Sequence, residues 1–165
     1  MLLFLFGKPG TGKTTMGRYL SKLMNAVYFD CDDCYTLQDI DNIKRNNFTC
    51  TDSDEFLVRA VGKLKKIRDE DLVITSQSLF KEHQRRLLKN EFQSDIFLVY
   101  LDLPRDLVIE RLKQRRHFYD LQQYLREEHE YDAVKTFDVS VMNINIDETA
   151  KNIEDSFCKF VEESE

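Results

Sequence analysis

Apolar positions recur along this chain with two periods. Five short runs, Leu2–Phe6, Ala26–Asp30, Asp71–Thr75, Asp95–Leu101 and Val139–Asn143, are too short for helices and read as strands. Between them apolar residues fall at helical spacing. Lys13–Asn25 follows the first strand, and Asp54–Asp69 sets Phe56, Leu57, Ala60, Val61, Leu64 and Ile67 on one face. Lys81–Phe92 repeats Leu87, Leu88 and Phe92 in the same way. Pro104 stands where a first helical turn tolerates it, so a helix is expected over Arg105–Arg116. Asp147 or Glu148 opens a last helix that carries Ala150, Ile153, Phe157 and Phe160 on one stripe. Strands alternating with helices predict an α/β fold whose five-stranded parallel sheet is covered on both faces. In such sheets ligands gather beyond the carboxyl ends of the strands, so the residues just after each strand are the ones to inspect for chemistry.

After the first strand comes Gly7-Lys8-Pro9-Gly10-Thr11-Gly12-Lys13-Thr14, which fits the phosphate-binding pattern G-x-x-x-x-G-K-[ST]. Its glycines let the backbone curl until several N–H groups point inward, and the helix beginning near Lys13 adds its positive dipole end. The pattern lies directly between an apolar strand and a helix, as the chemistry requires. It predicts ATP and Mg²⁺ as cofactors, held by Gly7 through Thr14 and by Thr15. Lys13 would reach the β- and γ-phosphates and the Thr14 hydroxyl would ligate Mg²⁺.

The second strand ends in Asp30-Cys31-Asp32. Alternation along an extended chain puts Asp30 and Asp32 on one side. Asp30 is assigned to the Mg²⁺ shell, and Asp32 to the hydroxyl that attacks the γ-phosphorus, as its base or orienting group. Phosphoryl transfer also needs cations that meet the charge spread over the transferring group. Arg111 and Arg115 share a helix face, as do Lys81 and Arg85. Arg115 and Arg116 are expected as cations of a helical lid spanning about residues 115–132, and Lys81 and Arg85 as substrate-side cations. Arg86 and Lys113 are read as solvated. His117 stands beside the lid arginines, within reach of a nucleotide, whereas His83 and His129 are given no role.

With 165 residues the chain has the length of one domain, and its 42% hydrophobic and 33% charged residues are those of a soluble globular protein. The net charge of -6 carries no basic footprint, which counts against a nucleic-acid partner. No apolar run approaches the roughly 18 residues of a membrane helix, and Met1–Phe6 lacks a basic leader, so a cytoplasmic protein is expected, with its four cysteines reduced. Cys31 and Cys34 form a C-x-x-C, but neither a second pair nor a nearby histidine completes a metal site, so they read as small residues packed at a strand end. The expected partner is a small-molecule substrate, and a homodimer is left open.

These motifs resemble the gluconate kinase family, within the larger group of shikimate- and nucleoside-monophosphate-kinase-like folds. The family's G-x-S-G-S-G-K-S/T is matched by Gly7–Thr14 and its D-G-D by Asp30-Cys31-Asp32. Its S-A-L-K-x-x-Y-R-x-x-L is similar to Ser78–Leu88, which keeps Ser78, Lys81 and Arg85. Its R-L-x-x-R-x-G-H-F is similar to Arg111–Phe118, one residue short, and its P-L-T-D-x-D-R to Thr49–Glu55. The resemblance covers most of the chain and is tight at the motifs. It implies a P-loop kinase dependent on ATP and Mg²⁺, with a sugar acid or related carbohydrate as acceptor, held near Asp32, Ser78, Lys81 and Arg85. The departures fall on the substrate side. Tyr35-Thr36 replaces the family's His-Pro, Glu55 stands at its arginine, and there is no tryptophan. They lead to the expectation that Glu55 repels an anionic substrate and that gluconate gives way to a less acidic hydroxyl compound. Three other readings are carried alongside: a polynucleotide 5′-hydroxyl kinase using Tyr35 and Phe48 to stack a base, a nucleoside or nucleotide kinase, and a non-catalytic nucleotide-binding module.

Overall fold

The computed structural model describes residues 1–67 and 71–164. All five expected strands form: β1 (Leu2–Phe6), β2 (Val27–Asp30), β3 (Val73–Gln77), β4 (Ile96–Asp102) and β5 (Val139–Met142). They make one parallel sheet in the order β2-β3-β1-β4-β5. β1 lies at its centre, and every one of its side chains is buried. The register brings the carboxyl ends into line. Phe6 pairs with Gln77 on one side and Tyr100 on the other, and Asp30 pairs with Ser76. The loops that leave β1, β2 and β3 therefore start side by side at one edge.

The period-2 alternation sorts the core into two layers. Leu2, Phe4 and Phe6 with Ile96 and Leu98 pack against α3 (Cys50–Ile67) and α4 (Glu82–Phe92). Leu3 and Leu5 with Phe97, Val99 and Leu101 pack against α1 (Lys13–Leu23) and α7 (Ile146–Ser164). A smaller cluster of Leu103, Val108, Leu112 and Tyr124 joins the segment of α5 (Arg105–Gln114) to that of α6 (Leu121–Glu127). No helix among the described residues is long and apolar enough to cross a membrane.

Apolar periodicity gave no bounds for two helices, α2, which was not expected, and α6, which lies in the segment expected as a helical lid, and both have cap signatures. For α2 (Leu37–Lys44), the Thr36 hydroxyl accepts from the Asp39 N–H and the Asp39 carboxylate accepts from the Thr36 N–H, a reciprocal cap. For α6, the Asp120 carboxylate accepts from the Gln123 N–H. The same device moves the start of α3. Thr49 and Asp52 cap each other, so the helix begins at Cys50 rather than Asp54. Its expected end at Asp69 lies outside the described residues. Cys31 and Cys34 are free and buried in a short 3₁₀ turn after β2, where Cys31 meets the Thr75 hydroxyl and burial pushes its thiol well up. They are packing residues, as read from the sequence.

Arg85 departs from its expected place at the substrate. Its side chain is fully out of water. The guanidinium donates to the carbonyls of Leu79, Phe80, Asp132 and Ala133 and to the Glu82 carboxylate, and lies over the rings of Phe6 and Tyr131. Burying an unpaired guanidinium costs several kcal/mol, and this ring of acceptors offsets it. Leu79 gains from the same bonds, since its left-handed φ of 47° carries strain of about 1–2 kcal/mol. Arg85→Met should therefore lower the unfolding free energy by about 3 kcal/mol or more, read from a urea transition. An unshifted midpoint would return Arg85 to the substrate side.

Candidate active site

The aligned strand ends open into one cavity of about 700 Å³. Its floor is the β1–α1 loop. Gly10 and Gly12 have φ of 86° and 89°, a left-handed backbone that glycine adopts without strain. A Cβ on Gly12 would lie 2.7 Å from Asn143 Nδ2, and one on Gly7 would lie 2.2 Å from the Leu101 carbonyl oxygen. The loop is pinned from behind. The Thr11 carbonyl accepts from Asn143 Nδ2 at 2.7 Å and from Arg111 at 3.2 Å, while Arg111 also donates to the Asn143 carbonyl. Asn143 ends the fifth expected strand and Arg111 shares a helix face with Arg115. Neither was assigned a role from the sequence, and only folding shows that they brace the loop.

Pro9, Gly10, Gly12, Lys13, Thr14 and Thr15 line the cavity, whereas Gly7, Lys8 and Thr11 stand behind the loop. The Lys13 ammonium donates to the Lys8 carbonyl at 2.8 Å, curling the loop around its own lysine. Burial and then the nearby Arg115 charge lower the Lys13 pKa to about 7, against an opposing pull from Asp32. Lys13, Arg115 and Asp32 are thus close enough to sense one another, the triplet that the sequence assigned to the transfer step.

Asp30 and Asp32 both face the cavity. Asp30 accepts from the Asp32 N–H, capping the 3₁₀ turn, and lies 3.7 Å from Arg18. Burial raises its pKa, the mark of a carboxylate that would gain from a cation. Burial also opposes ionisation of Asp32. The hydrogen bond and charge of His117, the Gln77 amide and the Lys13 charge outweigh it and hold the Asp32 carboxyl below the usual range. His117 Nε2 lies 3.3 Å from one Asp32 oxygen, and Gln77 Nε2 lies 3.2 Å from the other. His117 therefore meets the aspartate rather than a nucleotide, and Gln77 was missed because an amide at a strand end carries no motif.

Ser78 and Lys81 line the cavity, as expected. Lys81 is tethered there, donating to the Glu130 carbonyl at 2.7 Å and lying 3.7 Å from Asp132. Arg85 is not in the cavity wall. Arg116 is also absent from it, because α5 ends at Gln114 and the chain leaves the helix extended at Arg115, which turns Arg116 to solvent. Glu55 corrects the expectation built on it. On α3, Glu55 falls on an exposed helical face outside the cavity wall. Tyr35, the other departure, is in the wall, stacked on Phe56.

The sequence profile of the AAA domain family (AAA_18) matches residues 3–132. The chain belongs to that family. Within it, this AAA domain is similar to the shikimate kinases of two Staphylococcus epidermidis strains, RP62A and ATCC 12228, at 30% identity over 117 residues. That match takes in 70% of this chain but 66% of the length of each relative, just under two thirds. Among solved structures, a gluconokinase from Sinorhizobium meliloti 1021 superposes with a TM-score of 0.81 at 16% identity, covering 98% of this chain and 93% of that chain. An APS kinase from Mycobacterium tuberculosis in complex with AMPPNP and APS gives 0.73 at 20% identity, covering 94% and 96%. The likeness drawn from motifs thus extends to the whole fold.

Gly12→Ala tests how rigidly the loop is held. The new Cβ must push Asn143 away and hold a left-handed backbone, so stability should fall by about 1–2 kcal/mol, read as a lower Tm.

Proposed function

We propose that this chain is a P-loop kinase that transfers the γ-phosphoryl group of ATP to a hydroxyl of a small molecule. The observation that carries the reading is the convergence of Lys13, Arg115 and an ionised Asp32 in one cavity above a glycine-lined phosphate cradle. The cradle fits a polyphosphate on three counts. Its glycine backbone leaves room where side chains would collide, its lysine is bound only to a carbonyl of the loop, and the start of α1 adds a positive dipole end. Thr14 and Asp30, both in the cavity wall, are the residues that would hold Mg²⁺. Bound there, the metal would neutralise charge on the phosphates.

The remaining roles follow from position. Asp32, fixed at both oxygens by His117 and Gln77, accepts a hydrogen bond from the acceptor hydroxyl and aligns it with the γ-phosphorus. The acceptor oxygen forms the new O–P bond as the bond from the γ-phosphorus to the β,γ-bridging oxygen breaks, and ADP leaves with those electrons. The hydroxyl proton passes to Asp32. Lys13 and Arg115 stabilise the charge that spreads over the transferring group. Closure of the segment around residues 115–132 over the phosphates, carrying Arg115 and His117 with it, would exclude water from the step.

Asp32→Asn keeps the shape and loses the base, so kcat should fall by roughly 10²–10⁴-fold while ATP binding changes little. Steady-state kinetics alongside nucleotide titration separate the two effects. If ATP affinity fell while turnover at saturating ATP held, Asp32 would be a nucleotide ligand instead.

Lys13 also sets a pH dependence. Its pKa is about 7 in the free protein, and bound phosphates would restore it towards the ordinary lysine value. Binding therefore takes up a proton above pH 7. ATP affinity should be greatest below pH 7 and fall with rising pH, by at most about tenfold per unit. Calorimetry in buffers of different ionisation enthalpy at pH 8 should show the proton uptake, and Lys13→Met should abolish it.

A further inference from the structure

We infer that the acceptor is an uncharged alcohol bearing a flat apolar ring, and not a sugar acid. The inference rests on the kinase reading above and concerns the end of the same cavity that Tyr35 and its neighbouring rings line.

The walls of that end are aromatic. Tyr35 stacks on Phe56 with ring centroids 4.0 Å apart and planes 18° apart. Phe48 and Phe118 stand edge-on to Tyr35 at 6.0 and 5.5 Å. Phe80 and Tyr119 add two further rings 6.5 Å apart. Six rings in the wall of one cavity form a surface that favours another flat, apolar face, because offset and edge-on ring contacts add to the gain from area burial. An open-chain polyol offers such a wall little and loses the hydration of its hydroxyls on entering.

The charge points the same way. Among the described residues, the cations nearest these rings are engaged, and Arg126, whose charge acts on Glu127, is exposed outside the cavity wall on the Gln123 amide. Lys81 is held by the Glu130 carbonyl and Asp132, Arg85 is buried behind the wall, and His117 is on Asp32. Two carboxylates face the space, Glu127 and Glu130. Glu127 accepts from the Tyr119 hydroxyl and from Gln123, and its burial raises its pKa. Gln84 uses its amide on Ser53 and on Asp54, whose carboxylate lies just behind it. An acceptor carboxylate would be stripped of water, meet no unengaged cation and face like charges. An uncharged ring-bearing alcohol incurs neither cost. The substrate-side departures from the gluconate kinase pattern thus act through Tyr35 and the wall it belongs to, not through Glu55.

The test separates charge from ring with two matched pairs, each compared by calorimetry in the presence of AMPPNP and Mg²⁺ and by turnover with ATP. D-glucitol and D-gluconate differ in one carboxylate, as do phenyl β-D-glucoside and phenyl β-D-glucuronide. The glucoside should bind best. It should exceed the glucuronide by tenfold or more through charge, and D-glucitol by tenfold or more through the ring. Glu127→Gln, which keeps the bonds to Tyr119 and Gln123, should narrow the glucoside-to-glucuronide ratio several-fold. Phe48→Ser should shrink the advantage of the phenyl compounds while leaving the charge ratio in place. Equal or tighter binding of either anion overturns the inference, and so does failure of both phenyl compounds to bind at millimolar concentration while AMPPNP binds. Absence of AMPPNP binding would instead overturn the kinase reading itself, and this inference with it.

Discussion

A single buried guanidinium ties together the two halves of the site. Arg85 reaches from α4 to the strained loop after β3 and to the chain at Asp132 and Ala133, donating to four carbonyls and one carboxylate. Arginine can do this because its planar fork carries five donors and stays charged at any relevant pH. Lysine could not span the same acceptors. The consequence reaches the cavity. Ser78, Phe80 and Lys81 flank Leu79 on one side of this knot, and Tyr131 and Asp132 lie on the other, where Tyr131 donates to the Ser78 carbonyl and the Asp132 N–H to that of Phe80. A residue that looks like a ligand cation in the sequence instead holds the acceptor wall in place.

The phosphate end depends on a different constraint, the in-line carboxyl ends of the parallel strands. Because Phe6 is in register with Gln77, and Asp30 with Ser76, the loop after β1 emerges beside Asp32 and its Gln77 partner. The electrostatics follow from this placement. Lys13 is buried close to Arg115, which lowers its pKa, and close to Asp32, which partly restores it. Asp32 is kept ionised by the same lysine together with His117 and Gln77. Each group is tuned by neighbours that come from other strands, so no one segment contains the site.

Much of this was legible beforehand, for identifiable reasons. The strand runs and the helix faces follow from apolar periodicity, since each element must bury one side, and all five strands appear within two or three residues of their expected bounds. The two helices that periodicity did not delimit, α2 and α6, are short, and their caps are written in Thr36 with Asp39 and in Asp120, signals that apolar periodicity does not register. The Thr49–Asp52 cap had a larger effect. It starts α3 four residues early, and on that helix Glu55 is exposed, which a motif alignment could not detect.

What the sequence determined by itself is the local chemistry: a glycine loop able to curl around phosphates, a lysine and a threonine at its end, and aspartates at the next strand terminus. These depend on residue type and near-neighbour spacing, which a chain carries whatever it folds into. What only the tertiary structure decided is the direction in which each charged side chain points. Arg85, Arg111, Arg115 and Arg116 are alike in sequence, yet one is a buried knot, one a brace for the loop, one a wall of the cavity and one a solvent residue. Their fates differ because a guanidinium goes wherever carbonyls and carboxylates from distant segments converge on it, and that convergence exists only after the sheet has brought those segments together.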